Sequence, residues 1–81
     1  MATSLDDRTI GVRSPEALGR VVRAARKDAG VTQGELAERA RANRYAIHSL
    51  ETGHETRAIE LMFDTLAALG LELAVRPRGG R

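Results

Sequence analysis

Eighty-one residues without a cysteine bound this chain to one small domain that no disulfide or thiolate metal site can staple. With one Phe, one Tyr and no Trp, the core falls to Leu, Ile, Val and Ala, and a chain of this size gains from burying further surface in an oligomer. The net charge of +2 is unevenly divided: eight bases face four acids between Arg13 and Arg44, and one base faces five acids between Tyr45 and Val75.

A basic half beside an acidic half suits a polyanion on one side and a protein partner on the other. The N-terminus lacks the basic-then-apolar pattern of a signal peptide, and no run approaches the roughly 20 apolar residues of a membrane span. A cytoplasmic protein with no membrane partner is the expectation.

Residues 1–12 read as a flexible arm or a short strand. Ser14-Pro15-Glu16 is a helix start, with serine as cap, proline in the first turn and glutamate at the positive end of the dipole. Leu18, Val22, Ala25 and Ala29 then recur at helical spacing, Arg20, Arg23 and Lys27 line another face, and Gly30 ends the helix. Thr32-Gln33-Gly34-Glu35 has the form of a capping box. It opens a second helix to about Ala40, with Leu36, Ala37 and Ala40 inward and Gly34 a local weakness of about 1 kcal/mol.

Arg41-Ala42 forms a turn and Asn43 caps a third helix to about Thr52, with Ala46, Ile47 and Leu50 as its expected buried stripe and Gly53 as its stop. A fourth helix spans about Arg57 to Leu69, its apolar face being Ile59, Met62, Phe63, Leu66 and Leu69. Gly70 closes it. Leu71 to Val75 alternates with period two, the mark of a short strand, and Pro77 with Gly79-Gly80 begins a disordered basic tail over 77–81. The predicted organisation is a flexible arm or short strand over 1–12, a helical domain over 13–70 and a strand over 71–76.

Reading a major groove requires a short helix whose outward side chains donate to and accept from base edges. The third helix offers Arg44, Tyr45, His48 and Ser49 for bases, with its polar N-terminal turn directed at the groove. Gln33 and Asn43, each at a helix start, suit phosphate, as do Arg41 in the turn and Arg23 and Lys27 on the first helix. The plainer readings are a solvated Arg44, a Tyr45 packed over the first helix and an exposed His54. No metal role attaches to His48, which has no second ligand at a suitable spacing. The two histidines lack a partnered nucleophile and no phosphate-cradling glycine loop occurs, so the chain reads as a non-enzyme without cofactor.

Thr32-Gln33, Leu36-Ala37, Ile47 and Glu51-Thr52-Gly53, spread over about Leu18 to Leu69, resemble the lambda-repressor-like (Cro/XRE-type) helix-turn-helix family. The resemblance implies a mainly α fold of four to five helices, a phosphate contact from Gln33, base reading by Arg44, Tyr45, His48 and Ser49, and an ion pair of Arg26 with Glu51. Two positions depart from the family pattern: Arg41 stands where the turn glycine is usual, and Gly34 replaces a better helix former.

The stretches Arg13 to Gly19 and Leu66 to Arg78 further resemble the HipB-like antitoxins. That likeness implies a homodimer joined by a C-terminal strand, through Leu71, Leu73 and Val75, that pairs across the two-fold axis. It also implies a palindromic operator and a HipA-like serine/threonine kinase toxin as partner. The alternatives are a stand-alone regulator without a toxin, and an interaction module that uses the helical fold only as a scaffold.

Overall fold

The computed structural model describes residues 9–54 and 56–79. Its elements are β1 (Ile10–Val12), α1 (Pro15–Asp28), α2 (Gln33–Arg39), α3 (Arg44–Glu51), α4 (Arg57–Ala68) and β2 (Leu73–Val75). The architecture is the expected mainly α one, with four helices and a two-stranded antiparallel sheet. Each helix begins the same way: the side chain of Ser14, Thr32, Asn43 or Thr56 accepts the amide of the residue three further on, satisfying one of the donors that a helix start leaves unpaired. At α2 the exchange is mutual, since the Thr32 amide also donates to Glu35 Oε1 at 2.8 Å.

The helix ends also share one construction. After each helix a residue of positive φ donates its amide three residues back, and the next residue donates five back. This is the Schellman pattern, whose left-handed residue is ordinarily glycine. Gly30, Gly53 and Gly70 fill it after α1, α3 and α4, and Arg41, at φ 59°, fills it after α2. The arginine thus adopts the conformation of the turn glycine it replaces; the turn between α2 and α3 is not remodelled around it.

Helix α3 packs against both α1 and α2, and α4 packs on α1. The approach of α1 to α3 depends on Gly19, where a Cβ would lie 2.5 Å from the Leu50 carbonyl oxygen and 2.6 Å from that of Glu51. The buried hydrophobic residues are Val12, Ala37, Ile47 and Phe63. The expected inward faces are narrower than the periodicity suggested: Ala29, Ala40, Ala46 and Leu69 are exposed. Ala29, Ala40 and Leu69 cap the ends of their helices, where the chain turns away from its neighbours, and Ala46 lies on the solvent side of α3.

The sheet joins opposite ends of the described chain, with Ile10 opposite Val75, Gly11 opposite Ala74 and Val12 opposite Leu73. Directly opposed residues share a face of an antiparallel pair, so Ile10, Val12, Leu73 and Val75 form one face, and Gly11 and Ala74 the other. Val12 is fully buried. The C-terminal strand is shorter than 71–76 and begins after Leu71, whose amide instead completes the Schellman motif by donating to the Leu66 carbonyl at 2.8 Å. Its partner in the chain is β1, so pairing across a two-fold axis concerns only its other edge. Pro77 to Gly79 carry no regular structure; residues 1–8 of the expected arm and 80–81 of the expected tail lie outside the described residues.

Candidate nucleic-acid interface

The turn and the N-terminal half of α3 present a continuous exposed surface: Arg41, Ala42, Asn43, Arg44, Tyr45, Ala46 and His48 are all exposed, and Ser49 is half-buried. The opposite side of α3 carries the buried Ile47 and Glu51. Tyr45 is 74% exposed, which rules out its packing over α1. Asn43 Oδ1 accepts the Ala46 amide at 2.8 Å, so the cap occupies the acceptor of that amide group and leaves its two N–H donors for another partner.

Behind this surface lies a charged node that ties three segments together. Arg26 of α1 donates from Nε to Glu51 Oε2 at 2.6 Å and from a terminal nitrogen to Glu51 Oε1 at 3.1 Å. Its other terminal nitrogen donates to the Val31 carbonyl at 2.9 Å. Gln33, at the start of α2, completes the node by donating Nε2–H to Glu51 Oε1 at 3.1 Å. The two charged side chains are 11% and 1% exposed, and among the described residues no buried side-chain polar atom lacks a partner.

Hydrogen bonds from Arg26 hold the Glu51 carboxyl below its ordinary value, against the opposing effect of burial; the Gln33 bond and the charges of Arg26 and Arg23 act in the same direction. A bidentate, fully satisfied pair of this kind is held as a unit, and removing one member strands the other. Gln33 is therefore half-buried with one amide hydrogen engaged, which fixes its orientation and leaves its second N–H for a ligand at the start of α2. This engagement was not legible beforehand, because nothing in the spacing of Gln33 and Glu51 announces a contact between them.

Arg23 and Lys27 stand on α1, outside the run from Arg41 to Ser49. They line a groove of about 460 Å³ with Arg20, Ala24 and Asp28, all from α1. No residue of α2 or α3 lines it, although the Arg23 charge reaches Glu51 at the end of α3; Arg41, Asn43 and Arg44 are gathered in the turn and at the start of α3. The three residues expected at a dimer contact also divide. Leu71 is 56% exposed, while Leu73 and Val75 are half-buried on the sheet face that carries Val12. A cleft of about 390 Å³ opens beside Leu71, between α4 and the sheet, with Val12, Phe63 and Leu66 among its lining residues. Leu61 and Leu69 of the α4 region are exposed nearby in sequence, at 52% and 66%.

Among the described residues no helix is long and apolar enough to cross a membrane. Neither a curated protein nor a solved structure matches the chain. The family profile described as a helix-turn-helix domain matches residues 17–77, from the first turn of α1 through β2. With about three quarters of its length so matched, the chain belongs to the helix-turn-helix domain family.

Proposed function

We propose that this protein is a sequence-specific DNA-binding transcriptional repressor. In this reading α3 enters the major groove, with Arg44, Tyr45, His48 and Ser49 meeting base edges, while Gln33, Asn43 and Arg41 hold the adjacent phosphates. The observation that carries it is the exposed surface formed by residues Arg41 to Ala46 and by His48, backed by a helix that the Arg26–Glu51–Gln33 node holds in place. Arg23 and Lys27 extend the phosphate contacts along α1. Fluorescence anisotropy against duplexes selected from a random pool tests the reading. Binding that falls steeply with salt, and is lost on Arg44→Ala for the selected sequence more than for random DNA, is expected. Equal affinity for all duplexes would overturn sequence-specific reading.

The operator is taken to be palindromic and bound by a homodimer, which would set two α3 helices about 34 Å apart. The dimer is supported by the exposed Leu61, Leu69 and Leu71, and by the outer edge of β2, which has no ladder partner among the described residues. Such an edge is a pairing template. Truncation before Leu71 is expected to yield a monomer in analytical ultracentrifugation and to weaken operator binding; a truncated protein that remains dimeric would move the interface elsewhere.

The finer reading is that of a HipB-like antitoxin that neutralises a HipA-like serine/threonine kinase toxin. Its support is the resemblance of residues 13–19 and 66–78 to that group, together with the acidic balance of the chain beyond Tyr45. Co-purification with the product of an adjacent kinase-like gene tests it. An adjacent gene of that kind whose product fails to bind would favour a stand-alone regulator, which needs nothing beyond the domain that the family match covers.

A further inference from the structure

Tyr45 raises a question that the DNA-binding reading alone does not answer. It is a large, mostly apolar side chain, 74% exposed, on a helix whose other outward groups are polar or small. Ala46 beside it is exposed as well, against the expectation from its place in the helical pattern. His48 and Ser49 follow at three and four residues, the spacing that puts them on the same face of the helix as Tyr45. The face of α3 that Tyr45 occupies therefore carries one aromatic ring flanked by polar side chains, with the Ala46 methyl roughly 100° further round the helix.

The chemistry of the major groove restricts what such a surface can meet. Guanine, cytosine and adenine present polar donors or acceptors there, and thymine alone presents an apolar group, its C5 methyl. A ring pressed onto polar base edges would take them from water and return at most the bonds of one hydroxyl. Pressed onto a methyl group it removes apolar surface from water on both sides.

We infer that Tyr45 is a specificity-determining residue that reads the C5 methyl of thymine in each operator half-site. The inference rests on the DNA-binding reading and assigns the base chemistry to a part of the helix where charge and hydrogen bonding do not. Arg44 carries the polar share of the recognition. The ring of Tyr45 makes the methyl contact, and its hydroxyl is not required for it.

The test uses the full chain and a duplex selected from a random pool, in which each thymine is replaced in turn by uracil, which pairs identically but lacks the methyl. One thymine per half-site is expected to lose about four-fold in affinity on replacement, the worth of one buried methyl-sized group. Tyr45→Phe should keep this thymine-to-uracil ratio, and Tyr45→Ser should bring it to one. Because Tyr45 is exposed, both variants should keep the circular dichroism and melting temperature of the parent. Unchanged affinity at every uracil position, or a Tyr45→Ser protein that still distinguishes the two bases, would overturn the inference and leave DNA binding intact. Failure to recover any bound duplex would overturn the DNA-binding reading and this inference with it.

Discussion

Arg41 occupies a left-handed position that the other three helix ends assign to glycine. For an L-residue with a Cβ this conformation costs about 1 kcal/mol or more, and strain of this kind is retained where the side chain has another use. Arg41→Gly is therefore expected to raise stability by about 0.5–1 kcal/mol in urea unfolding and to weaken DNA binding, lowering the salt slope by about one unit. A variant that gains stability with undiminished binding would show that the guanidinium does not touch phosphate. Two glycines give a sharper contrast under one substitution. Gly34 has nothing nearer to an added Cβ than Thr32 Oγ1 at 3.9 Å, whereas at Gly19 two backbone carbonyl oxygens block it. Gly34→Ala should stabilise by about 1 kcal/mol through helix propensity, and Gly19→Ala should destabilise by about 1–3 kcal/mol through overpacking between α1 and α3; chemical denaturation reads both signs.

At the scale of elements, the node of Arg26, Glu51 and Gln33 holds α1, α2 and α3 to one another. Its pH dependence follows from the lowered Glu51 value: the stabilisation is fully present above the ordinary glutamate value of 4.5 and is lost as pH falls through the lower folded value. Unfolding measured from neutral pH into the acid range should show this loss. Glu51→Gln should remove that share of the acid dependence, while lowering stability at neutral pH because Arg26 keeps a part-buried charge without its partner. The helices themselves were largely legible in the sequence, since their signals are local: Ser14-Pro15, the Thr32 and Glu35 pair, Asn43, and the glycines at 30, 53 and 70. The inward faces were less so. Ala46 fits an apolar stripe by spacing, but α3 has only eight residues, and alanine is small enough to sit on either side. Thr56 caps α4 with neither the proline of the Ser14 start nor the glutamate of the Thr32 start to announce it.

For the whole molecule, the part that could not be read is the pairing of its ends. Ile10-Gly11-Val12 is too short to show a period, its central glycine weakens a strand, and its partner lies some sixty residues away. The alternation at 71–75 announced a strand, but nothing local said which chain, or which end of this chain, would supply its neighbour. Val12 is the most buried side chain described, at 0% exposure, and Val12→Ala should cost roughly 2 kcal/mol from lost burial and the cavity left behind. The same pairing also orders events in time. The three-helix packing is built from neighbours in sequence and can form early, whereas the sheet must wait for closure of nearly the whole described chain. The loss at Val12 should therefore appear almost entirely as faster unfolding, with the refolding arm of a chevron unchanged. The strand pair would then act as a late-closing clasp that sets how long the folded domain survives and leaves its speed of assembly alone.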